Sequence, residues 1–333
     1  MGLDFLSLMI AFVLGAYLFG IGTLTLGSVY LVFQYIEMAH RPIDQIREQL
    51  IDLQKAGASI ERVEGLFATQ TRLDQRDHKD LPDGPLRVTF DDVTFSYDDD
   101  AGHETVLDEV SFDIAPGRVV GLIGRTGSGK STIARLITRL YEPQVGQVLV
   151  GGEPTWDIEL PRLRERVAMV TQDVQLFRAT IRENLTFFDD SVSDDRLLEV
   201  IHRLELDGWL DSLPNGLDTM LESGSGGLSA GQAQLLAFTR VFLRDPGVVV
   251  LDEASSRLDP ATEALIEKAV DHLLEDRTAI LIAHRLATVE RADDIIILED
   301  GRVLEQGVRT ELKANPESVF SHLLVAGMEE ALA

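Results

Sequence analysis

The chain of 333 residues contains no cysteine. Disulfide staples, thiolate zinc sites and cysteine nucleophiles are thereby excluded, although this absence fixes no compartment. Positive charge is scarce as well: 30 Lys and Arg face 56 Asp and Glu, a formal net charge of −26. A surface of that sign does not release counterions from phosphate backbones, which excludes broad binding to nucleic acid and makes any phosphate chemistry local. Such acidity otherwise reads as a solvated, self-repelling surface. Lysine is the rarest charged side chain. Only Lys55, Lys79, Lys130, Lys268 and Lys313 occur, so a lysine inside a glycine-rich loop stands out. The sequence has no internal repeat or low-complexity tract, and its length exceeds one typical domain, so at least two folding units are expected.

Charge is missing altogether from Phe5 to Ile21 and again from Leu26 to Gln34, with the turn-prone stretch GIGTLTLG between them. The first run is about 17 residues, or about 25 Å as a helix, which is marginal against a bilayer core of roughly 30 Å. The second can lengthen past Met38 into a following helix. A secretory signal peptide wants a basic start and a small-residue cleavage site, yet only Asp4 is charged ahead of the run. A buried soluble helix pair is also compatible with short apolar runs. A membrane hairpin fits best. Arg41 and Arg47 follow the second run while the turn has no cation, which puts both outer ends in the cytoplasm.

Beyond Pro42, the residues Ile43, Ile46, Leu50, Leu53, Gly57 and Ile60 fall on one helical stripe with charged and amide residues between. A helix that has left the bilayer would thus continue to about Phe67 and pack its stripe on other helices. Residues 1–67 are read as this partial membrane domain. Residues 68–85, ending DLPDGPL, are polar and breaker-rich and read as a linker. From Leu86 the period becomes two, in LRVTFDDVTFSY and ETVLDEVSFDI, as in half-buried antiparallel strands. After Gly117 the short apolar runs VVGLIG, VAMV, VVVLDE and AILIAH alternate with helical patterns and predict an α/β sheet covered on both faces. Residues 86–328 are read as that domain.

Gly124, Arg125, Thr126, Gly127, Ser128, Gly129, Lys130 and Ser131 fit the phosphate-loop pattern G-x-x-x-x-G-K-[ST], after an apolar strand and before a helical stretch that continues with Thr132. The glycines let backbone amides converge on phosphate oxygens at a helix N-terminus. Lys130 would hold the β and γ phosphates and Ser131 would reach Mg²⁺. Downstream, VVVLDEASS ends a buried strand with two adjacent carboxylates. Asp252 suits a Mg²⁺ shell and Glu253 could polarise an attacking water. Taken singly, such a carboxylate pair would more often cap a helix.

From about Leu86 the chain resembles the nucleotide-binding domain of an ABC transporter. LSAGQ, from Leu228 to Gln232, resembles that family's signature, and it lies between the phosphate loop and the acidic strand. The resemblance implies a fold of the P-loop ATPase type with antiparallel β and helical subdomains, binding ATP and Mg²⁺. It makes Tyr97 the aromatic residue stacked on adenine, Gln172 the link from Mg²⁺ and water to the membrane domain, Asp259 part of the loop crossing to a partner, and His284 the switch histidine near the γ phosphate. Ser229, Gly231 and Gln232 would act from across a head-to-tail dimer. Alone, Tyr97 could simply pack on its strand, His284 could be a structural histidine, and Gln172 a turn residue.

The sequence departs from the family pattern where Ala230 replaces the first glycine of the signature pair, where Ala233 and Leu235 replace common basic residues, and where ESGSGG replaces a glutamate-containing loop. A methyl at Ala230 is tolerable only if φ is negative. The N-terminal part resembles the last two of the six spans usual in an exporter-type half-transporter, as if four were missing. The implied whole is a multi-pass protein of the plasma membrane with its ATPase domain in the cytoplasm. It would pair with a second half-transporter, in a homodimer or heterodimer, to move a substrate that the sequence does not identify. A soluble ABC ATPase of DNA repair or translation is the alternative, and would have a coiled-coil insertion or tandem cassettes and no hairpin. A remnant that binds ATP without transport is another.

Overall fold

The computed structural model describes residues 2–68, 73, 79–97, 105–171, 174–222, 227–252, 260–283 and 286–326. They divide into two units, Met1–Arg72 and Leu73–Ala333.

The first unit is a helical hairpin of α1 (Gly2–Gly20) and α2 (Leu26–Ala68). Gly22, at φ +74°, permits the turn between them. The hydroxyl of Thr25 accepts the N–H of Ser28 at 3.3 Å at the start of α2. Gly15 lets the helices approach, because a Cβ there would lie 3.0 Å from Val29 Cγ1. Beside this contact lies an apolar cleft of about 240 Å³ lined in part by Phe12, Leu18, Val29 and Phe33. Phe12, Val13, Tyr17, Tyr30 and Tyr35 are exposed, and so are Ile43, Ile46, Leu50, Leu53 and Ile60 of the stripe on α2. Among the described residues no helix is long and apolar enough to cross a membrane. The residues expected to form a transmembrane hairpin make a helical hairpin with a long second arm, without a helix of membrane-crossing character among the described residues. On α2 the apolar character gives way beyond Gln34 to a charged sequence.

The second unit contains strands β1 (Val88–Phe95), β2 (Leu107–Ile114), β3 (Val119–Gly124), β4 (Val145–Val150), β5 (Glu153–Pro154), β6 (Val167–Val170), β7 (Val248–Asp252), β8 (Thr278–Ile282), β9 (Asp294–Glu299) and β10 (Arg302–Val308). Its helices are α3 (Lys130–Ile137), α4 (Leu160–Arg166), α5 (Ile181–Thr186), α6 (Asp194–Arg203), α7 (Asp207–Asp211), α8 (Ala230–Arg244), α9 (Pro260–Leu274), α10 (Leu286–Glu290), α11 (Arg309–Ala314) and α12 (Val319–Ala326). An antiparallel sheet has the order β2-β1-β4-β5, and a larger sheet the order β10-β9-β3-β8-β7-β6. In the larger sheet β9, β3, β8, β7 and β6 run parallel, with β10 antiparallel at the edge.

Both faces of the parallel strands are buried, which is why they read as continuous apolar runs. Val119 and Ile123 of β3 join Val249, Leu251, Leu281 and Ile297 in a core shared with α5, α6, α8 and α9. Their neighbours Val120 and Leu122 join Val250, Ile280 and Ile296 in a second core against the antiparallel sheet and α3. Phe90 and Phe112 meet there as a cross-strand pair, stacked at 4.5 Å between ring centroids. Leu81, within the stretch read as linker, is buried in this second core. Arg166 holds the chain there by donating to the carbonyls of Pro82 at 3.1 Å and Gly84 at 2.7 Å.

Ile123 is fully buried next to Gly124, so Ile123→Ala is expected to destabilise the second unit by about 2–5 kcal/mol. The chain's two tryptophans, Trp156 and Trp209, both lie in that unit. Their fluorescence during urea unfolding reads the loss, and a change below about 1 kcal/mol would contradict the packing.

Candidate functional site

The glycine-rich turn links the C-terminal end of β3 to the start of α3. Such a strand end in a parallel sheet is where ligands of α/β proteins bind. Two of its glycines are required by close approach. A Cβ on Gly124 would lie 2.4 Å from the carbonyl oxygen of Leu298 in β9, and one on Gly129 would lie 2.5 Å from Leu107 Cδ2. Gly129 also has φ +103° and caps α3 without a side-chain hydrogen bond. The first N–H groups of α3 are therefore not taken up by a capping side chain, and the helix dipole adds partial positive charge there.

The side chains complete an anion-binding pattern. Lys130 is 5% exposed, and its Nζ donates to the carbonyls of Gly124 at 2.6 Å and Arg125 at 2.8 Å. The ammonium is thus folded back over the turn. Ser128 is also buried, and its Oγ has no hydrogen-bond partner. It sits 2.5 Å from the Cβ position of Gly124, inside the turn. A buried ammonium, an unpartnered hydroxyl and a helix start capped only by glycine together fit a phosphate group. Arg125, Thr126, Gly127 and Ser131 are exposed, and Thr132 is buried.

Tyr97 follows β1 and is brought to the same helix, its hydroxyl 2.7 Å from Thr132 Oγ1. Asp252 is half-buried at the C-terminal end of β7, paired with Ile282 of β8 and two strands from β3. The hydroxyl of Ser131 and this carboxylate are oxygen donors of the kind Mg²⁺ takes. Gln172, Glu253, Asp259 and His284 lie outside the described residues.

Ser229, Gly231 and Gln232 stand at the start of α8. Ser229 Oγ accepts the N–H of Gln232 at 3.2 Å, and Gln232 Oε1 accepts the N–H of Ser229 at 2.9 Å, a reciprocal capping box. Ala230 is the first residue of the helix and is not among the residues of positive φ, so its exposed methyl costs no backbone strain. Gly231 is buried behind it. The sequence reading missed Arg240, which pins α8 by donating to the backbone oxygen of Asn184 at 2.7 Å, to Asn184 Oδ1 at 3.1 Å and to the oxygen of Gln175 at 3.0 Å. Burial, with the nearby charge of Arg244, pushes its pKa down to about 10, so it remains cationic at neutral pH. An arginine between Phe238 and Phe242 on a buried helix was the available signal.

A mixed sheet with a glycine turn holding a buried ammonium at a helix start defines a nucleoside-triphosphate-binding α/β domain. Residues 107–256 match the ABC transporter family model, and this stretch is an ABC-type ATP-binding domain, an ATPase. It is 37% identical over 313 residues to an ATP-dependent lipid A-core flippase of Pectobacterium atrosepticum, covering 92% of this chain and 53% of that protein. It is 34% identical over 293 residues to a fatty acid ABC transporter ATP-binding/permease protein of Mycobacterium tuberculosis, covering 88% and 46%. A solved bacterial Atm1-family ABC exporter with ATP bound aligns at a TM-score of 0.69 and 30% identity, over 91% of this chain and 53% of that one. The chain spans about half the length of the curated relatives it matches.

Gly129→Ala is expected to cost at least about 1 kcal/mol from the left-handed backbone alone, and to displace Leu107. Thermal unfolding should show a lowered midpoint and titration a weakened affinity for ATP. Wild-type values for both would refute the tight packing of the turn.

Proposed function

We propose that the chain is the C-terminal part of an ABC exporter half-transporter, whose ATPase domain hydrolyses MgATP in a head-to-tail dimer to drive export of a substrate across the membrane. The observation that carries this reading is the Gly124–Ser131 turn, with Lys130 and Ser128 buried inside it. The exporter relatives and the exposed apolar side chains of α1 and α2 support the membrane part. The second half-transporter is either a copy of this chain or a related one. The plasma membrane would hold the helices of several spans, with the ATPase domain in the cytoplasm.

In this reading the turn residues Gly124 to Ser131, with Thr132, hold the phosphates, and the Lys130 ammonium neutralises the β and γ groups. Ser128 has a hydroxyl hydrogen to donate to a phosphate oxygen. Ser131, Asp252 and Gln172 would hold Mg²⁺, which when bound would supply positive charge to offset that of the phosphates. Glu253 orients a water and accepts its proton, the water oxygen attacks the γ phosphorus, and the bond to the β–γ bridging oxygen breaks. His284 contacts the γ phosphate, and Tyr97 carries the base. Ser229, Gly231, Gln232 and Asp259 act on the nucleotide of the partner. Because Ser229 Oγ only accepts within its capping box, its own hydrogen is left for that phosphate.

Glu253→Gln should keep ATP affinity and lower steady-state turnover by about 100-fold or more, the usual worth of a general base; unchanged hydrolysis sinks the assignment. A shared site also requires the specific activity of the full chain in detergent to rise with protein concentration. A flat dependence down to high dilution counts against the dimer.

A further inference from the structure

Tyr97 is held from more directions than a strand-end tyrosine needs. The side-chain amide of Gln144, just ahead of β4, takes both backbone groups of the preceding residue: Ser96 N–H donates to Oε1 at 2.9 Å, and Nε2 donates to the Ser96 carbonyl at 2.7 Å. The Gln144 N–H also donates to the carbonyl of Thr94 at 3.1 Å. At the far end of the side chain, Arg135 in the last turn of α3 donates to the Tyr97 hydroxyl at 2.6 Å. Phe95 and Tyr141 meet the ring nearly at right angles, with centroids at 5.0 and 5.2 Å. An arginine cannot accept, so the phenol oxygen accepts from Arg135, and the same hydroxyl pairs with that of Thr132 at 2.7 Å.

Apart from Phe95 of β1, these contacts come from α3 and from the turn that follows it, so one short segment holds both the phosphate turn and the tyrosine. We propose that Arg135 and Gln144 are positioning residues that fix the Tyr97 ring to receive the purine base, so that the base side of the site is set by α3. The inference rests on the reading of Tyr97 as the base platform. Its physical content is preorganisation. A half-exposed tyrosine free at both torsions would have to be ordered when nucleotide binds, whereas a ring fixed beforehand adds no such cost. The bond from Arg135 is charge-assisted and short, and it is lost if either the guanidinium or the phenol oxygen is removed.

The test is calorimetric titration of the full chain with MgATP and with inorganic triphosphate, which has phosphates but no base. Arg135→Met and Gln144→Ala should each weaken MgATP by about threefold to tenfold, the usual worth of one or two hydrogen bonds, with triphosphate affinity unmoved. Arg135→Lys should recover part of the loss. Tyr97→Phe should resemble Arg135→Met, and the double variant should be no weaker than either alone. Equal weakening of triphosphate would make Arg135 a phosphate-directed cation, and additive losses in the double variant would mean it acts apart from Tyr97; either overturns the proposal. Tyr97→Ala separates the two ideas. If it weakens MgATP while Arg135→Met and Gln144→Ala do not, only the positioning role fails. If it leaves MgATP affinity unchanged, the platform reading fails and the inference falls with it.

Discussion

The site depends on two places where backbone must come closer than any side chain allows. Gly124 lies against the carbonyl of Leu298 in the parallel sheet, and Gly129 lies against Leu107 in the antiparallel one. The phosphate turn is therefore wedged between two sheets. Leu107 is paired with Phe95, which precedes Tyr97 by two residues. The contact at position 129, where a Cβ would displace Leu107, thus also locates the end of β1, and through it the tyrosine. A shift of the antiparallel sheet would open the turn and move the aromatic residue together.

Charge is distributed in keeping with this geometry. On a chain of net charge −26, Lys130 is the only one of the five lysines that is buried. The arginines at buried positions do different work. Arg166 and Arg240 each reach several backbone oxygens with one planar fork, closing the chain at Pro82 and Gly84 in one case and fastening α8 to Asn184 and Gln175 in the other. A lysine has one compact charge and could not span those acceptors. The division explains why a protein so poor in lysine places one inside the turn and uses arginine as its internal brace.

Local signals were legible and long-range ones were not. The phosphate turn could be read directly because its residues are contiguous and its flanking strand and helix have distinct periods. The parallel strands were legible as apolar runs because both their faces are buried. Leu81 lay hidden in a stretch of prolines, glycine and aspartates, whose backbone is held at Pro82 by Arg166, far along the chain. The supports of Tyr97 were equally hidden. Arg135 and Gln144 reach it across separations of 38 and, through Ser96, 48 residues, and neither residue type announces such a bond. The capping box at Ser229 and Gln232 was present in the spacing, but the same residues also carry the signature resemblance, which drew the reading away from their local role.

The state of Lys130 bears on how a phosphate would be received. A buried ammonium without partners would be strongly disfavoured, but here the carbonyls of Gly124 and Arg125 already accept from it. Its desolvation has been met in folding. An arriving phosphate then exchanges neutral acceptors for an anionic one, and the gain is the difference between an ammonium–carbonyl hydrogen bond and an ammonium–phosphate ion pair. The unpartnered hydroxyl of Ser128 gains a full bond in the same event. Both effects require the turn to keep its shape without ligand, and the two close approaches at Gly124 and Gly129 supply that rigidity. The electrostatics of the site are in this sense a consequence of its packing: the donors are strong toward phosphate because the backbone around them cannot relax toward anything else.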